Sequence, residues 1–587
     1  MINTTRFSIL LIAVVYRLTF YLQLRADGFF QLVPVDKKVL LDLSLDQIRG
    51  NLPSPLANSS LWFIQLEAIL TSLGIGLNGL HLFQFLAGIM LVLTVLTLGQ
   101  RILGTFPSLF AGAVLAVYGP LLFQEAQIVT AAWTALFLTA AILLPLAFAS
   151  PPALVFLLSG IIFGLGIQSQ ANMAISALAF FIGLSTIASQ RGKKALFLFP
   201  LGILLALAPV TLHNLRSGEF LPLSTVGGVN FFIGNGPGAT GAFNIPEGYS
   251  LVNEADQFVV SSLIYPEKIL GHKPGYSEAS RFWISRTCRG ILSRPARSLA
   301  LMGKKTALLL HAWETPNNIS YRFFRTQLAS IPLPLDFGIL VALAIPGFAP
   351  VFRRKTARPA IWALVGYAFS VVLFFVTDRY RLPLAPLFAL VAGCGVQELW
   401  RRWYNGSRRL AGVWSTVTIV ALVITHVPVW SSPGIEMAQG WTWIGKERSR
   451  IGDDAGALNA MEKALEYSPS DRDALVASAS LRAKRQEWTE AVKLYRKALE
   501  TDPADPLIPL LLARALRDSG DPPGDLVLLV PHANEMVNEP RLQVIPCGTQ
   551  RFQKDRKTLC HRYSELERFL PGREFLAQCP VRPGNGP

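Results

Sequence analysis

Residues 360–400 read AIWALVGYAFSVVLFFV, then TDRYRLP, then LAPLFALVAGCGVQELW. The two apolar runs, Ala360 to Val376 and Leu384 to Trp400, approach the roughly 20 residues that carry a helix across a bilayer. Between them stand Asp378, Arg379, Tyr380 and Arg381. Runs of this kind decide the fold class as all-α: a polytopic membrane helix bundle. The two arginines at the boundary need a reason. They either snorkel, with their stems in the bilayer and their heads at its surface, or offer planar donors that clamp a phosphate.

The rest of the chain agrees with the fold class. It has 587 residues, 51% hydrophobic and 16% charged, with a mean hydropathy of +0.40, too apolar for a soluble protein of this length. Eleven spans are expected. They are Phe7 to Leu24, Leu82 to Leu98, Phe106 to Phe123, Ile128 to Phe148, Ala153 to Ile167, Met173 to Ile187, Ala195 to Leu212, Phe337 to Val351, Ala360 to Val376, Leu384 to Trp400 and Ala411 to Val427. No small-x-small cleavage pattern follows the first, so it reads as a retained span.

A net charge of +16 would fit a nucleic-acid partner, but its placement is topological. Arg101, Gln190 to Lys194, Arg353 to Arg358 and Arg401 to Arg409 fall in alternate loops without a single acid, while the opposite loops carry nearly all the carboxylates. The N-terminus is therefore expected in the cytoplasm, and an odd number of spans puts the tail outside it. Two further polar regions, 25–81 and 213–336, share that outer face. No nucleic acid is expected. Five cysteines without CxxC or Cys/His spacing offer neither a zinc site nor a redox motif. Cys547, Cys560 and Cys579 leave one tail disulfide open.

The tail contains a repeat. Gly452 to Asp471 and Gln486 to Asp505 align at an offset of 34, pairing Ala457 with Ala491, Ala464 with Ala498, Leu465 with Leu499 and Pro469 with Pro503. Small residues at helix crossings and this period resemble tetratricopeptide repeats. The expected division is a membrane domain at 1–430, a linker at 431–451, repeats at 452–535, and a helical cap with a frayed end at 536–587.

Several outer-face residues are candidates for chemistry. Asp36 follows the first span closely and offers a general base for an acceptor hydroxyl. Glu125 stands in the short turn Tyr118 to Gln127, an acid between apolar helices, where ionisable groups are costly. The glycine-rich segment Gly227 to Gly241 contains Asn230 and Asn235. Gly236 to Gly241 formally matches G-x-G-x-x-G, but Pro237 interrupts it and no βαβ pattern surrounds it. It reads instead as a loop folding over a lipid or sugar. Near the re-entry to the membrane, Lys305, Glu314, Asn317 and Asn318 add basic, acidic and amide groups. Lys304 and Lys305 are equally suited to lipid headgroups.

Together, the early Asp, the YGP…E turn, GGVNFFIGNGPGATG, WETPNN, FFVTDRYRLP and the repeats resemble bacterial GT-C-type membrane glycosyltransferases. They are similar to the protein mannosyltransferase and lipid A aminoarabinose transferase superfamily. The resemblance implies a bundle with an extracytoplasmic active site in a bacterial inner membrane, and a polyprenyl-phosphate-linked sugar as donor. It also implies Asp36 as base, Glu125 as second carboxylate, and Arg379 with Arg381 on the lipid phosphate, with no metal or cofactor. The implied partners are the lipid-linked sugar, membrane lipids, and a protein or glycan held by the repeats. Asp36-Lys37-Lys38 departs from the family's usual tyrosine after the Asp. Gln170-Ala171-Asn172 stands where Arg-Pro-Asn is usual. An inactive scaffold presenting the repeats, and a polysaccharide polymerase or ligase, are the alternative readings.

Overall fold

The computed structural model describes residues 2–26, 29–31, 35–56, 60–187, 194–221, 225–246, 249, 251, 255–405, 407–428, 432–503, 505, 507–519, 528–531 and 542–545. The chain divides into two compact units, Met1–Gly440 and Trp441–Pro587.

The first unit is a bundle of apolar helices, as expected of a membrane protein, but the expected number of spans is corrected. Among the described residues six helices, not eleven, are long and apolar enough to cross a bilayer: Asn3–Ala26, Asn78–Leu103, Lys194–Leu215, Lys355–Leu373, Asp378–Tyr404 and Arg408–His426. The pair Thr105–Ala116 and Gly119–Ala126 passes the same test only when joined, across a 49° bend. Ala131–Leu146, Ala153–Ser169, Met173–Ile187 and Phe337–Arg353 are apolar but only 15 to 17 residues long. At about 1.5 Å per residue they fall short of a hydrocarbon core of about 30 Å. The apolar runs fall on these helices, but the sequence reading counts them as spans although helices of 15 to 17 residues are too short to cross alone. Parity does not place the tail, since six spans are even and seven, with the bent pair joined, are odd.

Asp378–Tyr404 lies at the centre of the bundle. Its apolar window is 83% buried, against 11% for Arg408–His426, which leaves most of its surface exposed. TDRYRLP is the start of this helix rather than a loop. Thr377 is extended and caps it, its hydroxyl accepting the Tyr380 N–H at 3.4 Å. The preceding residues tie the start down from outside. Val376 N–H donates to Gly241 O at 2.9 Å, and Asp378 N–H to Thr315 O at 2.8 Å.

Close helix contacts rely on missing side chains. A Cβ at Gly347 would lie 2.0 Å from Val391 O, and one at Gly395 2.0 Å from Leu343 O. The Phe337–Arg353 and Ala385–Tyr404 helices therefore meet backbone to backbone, as small residues allow in apolar surroundings.

The second unit contains two helix pairs, Asp454–Tyr467 with Arg472–Lys484 and Trp488–Thr501 with Leu507–Asp518. The aligned alanines 457, 464, 491 and 498 are fully buried. Asp453 and Asp471 cap their helices by accepting the N–H of Gly456 and Ala474, each at 2.8 Å. Leu528–Pro531 and Leu542–Ile545 form an antiparallel pair. Cys547, Cys560 and Cys579 lie outside the described residues.

Candidate functional site

A cavity of about 110 Å³ lies where five segments of the first unit meet. It is lined by residues 167–172 between two apolar helices, Val210, Gly227 and Asn230 of the glycine-rich helix, and Val371, Phe374, Phe375 and Tyr380. Pockets holding a whole drug-sized ligand span roughly 300–1,000 Å³. This one suits a single small head group, and a longer molecule would enter only in part.

Its walls combine amides with aromatic rings. Tyr367 Oη donates to Gln170 Oε1 at 2.6 Å, and Gln170 Nε2 donates to Arg379 O at 3.2 Å. Gln170 thus fixes the TDRYRLP turn against the amide wall. Asn172 Nδ2 donates to Ser370 Oγ at 3.2 Å, and Gln168 Nε2 to Ala206 O at 2.6 Å. The carbonyl oxygens of Gln168 and Asn172 are buried with no protein partner. Phe375 and Tyr380 meet edge to face with ring centres 5.6 Å apart. The lining thus sets amide side chains beside apolar aromatic faces.

The structure distributes the sequence-predicted residues over several places. Asn230 and Tyr380 line the cavity. Arg379 is half-buried beside it, its guanidinium 5.4 Å from the centre of the Tyr380 ring. Arg381 is 1% exposed and points elsewhere: it donates to His311 O at 2.5 Å and Leu308 O at 3.4 Å, and pairs with Glu314 at 2.5 Å. Its guanidinium also lies 4.9 Å from the Phe337 ring centre. Burial raises the Glu314 carboxyl above its usual range, and Arg381 pulls it back. Glu125 is fully buried 2.9 Å from Arg17, which also donates to the carbonyls of Ala13 and Ala116. Asn317 Nδ2 donates to Asn318 Oδ1 at 3.1 Å on the loop before Tyr321. Asp36 falls in the Val35–Ile48 helix, and its side chain lies outside the described residues.

Asn235 and Lys305 form a separate buried contact. Asn235 donates to Phe231 O at 3.0 Å and Leu373 O at 2.8 Å, and accepts from Lys305 Nζ at 2.8 Å. This joins the glycine-rich helix to the end of the helix that leads into the cavity. Burial pushes the Lys305 ammonium from its ordinary 10.5 down to about 7. Between about 7 and 10.5 the unfolded chain holds a proton that the folded chain has released, so stability rises with pH across that window. In Lys305→Met this rise should flatten, as thermal unfolding in detergent at stepped pH would show. An unchanged slope contradicts the assignment.

The sequence reading missed Gln168 and Ser169 as lining residues, and treated Gln170 and Asn172 only as part of a departure from a family pattern. A signal was available: three amides within five residues of an apolar segment are costly in a membrane protein and mark a cavity or a helix contact.

No protein-family model matches the chain, and no curated protein matches it. Solved structures similar to it include the oligosaccharyltransferase of Archaeoglobus fulgidus in its apo form, with a TM-score of 0.39 at 14% identity over 76% of this chain and 59% of that one. The same organism's oligosaccharyltransferase AglB, in complex with an inhibitory peptide and a dolichol-phosphate, gives 0.39 at 14% over 77% and 59%. A form tethered to an acceptor peptide gives 0.32 at 14% over 68% and 50%. This chain therefore spans 59% of the length of the first two.

Proposed function

We propose that the chain is a membrane glycosyltransferase of the GT-C type that moves a sugar from a polyprenyl-phosphate donor to an extracytoplasmic acceptor. The observation that carries this reading is the cavity wall. The amide side chains of Gln168, Gln170, Asn172 and Asn230 line the cavity and would hydrogen-bond to sugar hydroxyls. Phe374, Phe375 and Tyr380 would cover the carbon face of a ring. The cavity's volume admits the sugar and leaves the lipid outside it.

In this reading Arg379 neutralises the phosphate as the glycosidic bond breaks and negative charge grows on the leaving group. Asp36 removes the proton from the acceptor hydroxyl as its oxygen attacks the anomeric carbon. Arg381 and Glu125, each held in a buried ion pair, position helices instead of touching substrate. Asn317 and Asn318 stay candidates for the acceptor side, and the second unit, with tetratricopeptide-like repeats, recruits a protein or glycan on the outer face of a bacterial inner membrane.

The test supplies membranes containing the chain with labelled polyprenyl-phosphate sugar and envelope acceptors. Transfer by the wild type, and its loss by at least about 100-fold in Asp36→Asn and Arg379→Gln at unchanged folded yield, is expected. Transfer that survives both changes refutes the site. A wild type that transfers to no acceptor favours the scaffold.

A further inference from the structure

We propose that the corner between the Tyr276–Ser293 and Pro295–Leu310 helices docks on a bilayer surface bearing anionic lipid headgroups. From Ala279 to Leu310 the chain carries seven basic residues and no acid. Two of the seven are engaged inside: Lys305 is buried, and Arg286 stacks 5.5 and 5.3 Å from the ring centres of Tyr249 and Tyr265. The other five, Arg281, Arg289, Arg294, Arg297 and Lys304, are exposed. Arg297 also reaches Gly236 O at 3.2 Å.

The same surface is apolar where a soluble corner would be polar. Leu292 is 79% exposed, Leu299 69% and Ile284 42%. Ile284, Cys288 and Leu292 follow one another at intervals of four, so they share a stripe along the helix. The opposite face is taken. Ala279, Trp283 and Thr287 are buried, with Trp283 4.6 Å from Phe232 and Ser280 O so close to Gly228 that a Cβ there would lie 2.3 Å away. The orientation of the stripe is thus fixed by packing on the glycine-rich helix.

An anionic bilayer fits both halves of this surface. Leucines inserted among headgroups gain burial, while arginines beside them keep their heads at phosphate level. A soluble polyanion satisfies the cations but leaves Leu292 and Leu299 in water. Docking at this corner would brace the helix that carries Lys305, and through Asn235 the glycine-rich segment.

The full-length chain with Cys394, Cys547, Cys560 and Cys579 replaced by serine can be labelled at Cys288 with an environment-sensitive dye. It is then reconstituted in nanodiscs of phosphatidylcholine alone or mixed with phosphatidylglycerol, each containing a headgroup-region quencher lipid. Quenching should be several-fold stronger with phosphatidylglycerol and weaken as salt rises. Arg281→Gln with Arg289→Gln and Arg294→Gln should return it to the phosphatidylcholine level, and Leu292→Asn with Leu299→Asn should remove it, at unchanged thermal midpoints. Equal quenching in both discs, or none in either, overturns the proposal. So does protection of the dye by soluble polyphosphate in place of the anionic lipid.

Discussion

Replacing Arg381 by methionine is expected to cost about 3–5 kcal/mol and most of the folded yield, although the change removes only one charge. Glu314 would stay buried without its cation, the His311 carbonyl would lose the Arg381 donor, and the Leu308 carbonyl would keep only the His311 N–H. Lysine should not rescue it, because one ammonium cannot serve two carbonyls and a carboxylate lying in different directions. Arg381→Met with Glu314→Met should recover much of the loss, since apolar side chains of similar volume replace a buried pair at little cost. Thermal unfolding in detergent separates the outcomes. If Arg381→Met folds like the wild type and only transfer falls, Arg381 belongs to the substrate and is not a structural strut.

Glu125 offers a parallel case with a sharper contrast. Glu125→Gln leaves Arg17 charged and buried, and is expected to destabilise by about 3–5 kcal/mol. Were Glu125 a general acid or base, the same change would instead abolish transfer in a well-folded protein. The pair also constrains its surroundings. A Cβ at Gly88 would lie 1.8 Å from Glu125 Oε1 and 2.5 Å from Arg17 Nη2, so Gly88→Ala should mimic part of the Glu125→Gln defect. Arg17→Met with Glu125→Met should fold better than either single variant. A Glu125→Gln protein of full stability contradicts the strut.

The fate of the two TDRYRLP arginines shows what a sequence can and cannot convey. Their type and position at the edge of an apolar run were legible, and so was the helical fold class. Their roles were not, because Thr377 turns the segment into the first turn of a helix. Two residues apart on a helix lie about 200° apart. Arg381 is therefore directed into the bundle toward Glu314 while Arg379 stays at the half-buried edge. Span number failed for a different reason: the bounds of Met173–Ile187 were legible, but apolarity alone does not distinguish a short buried helix from one that crosses a bilayer. The cavity was only half legible. Asn230 and Tyr380 come from segments that had drawn notice, but Gln168 and Gln170 are brought to them by contacts across more than fifty residues of chain. The small-residue positions of the tail were readable, since alanine at a fixed period leaves few other packings.

The proposed mechanism stands on the amide and aromatic cavity holding the sugar of a lipid-linked donor, with Arg379 at its phosphate. A structure of the full chain with a polyprenyl-phosphate sugar bound would test this without intermediaries. The sugar ring is expected among Gln168, Gln170, Asn172, Asn230 and Tyr380, with the phosphate within hydrogen-bond reach of Arg379 and Arg381 still on Glu314. A phosphate bound by Arg381, or a sugar seated outside this cavity, contradicts the mechanism.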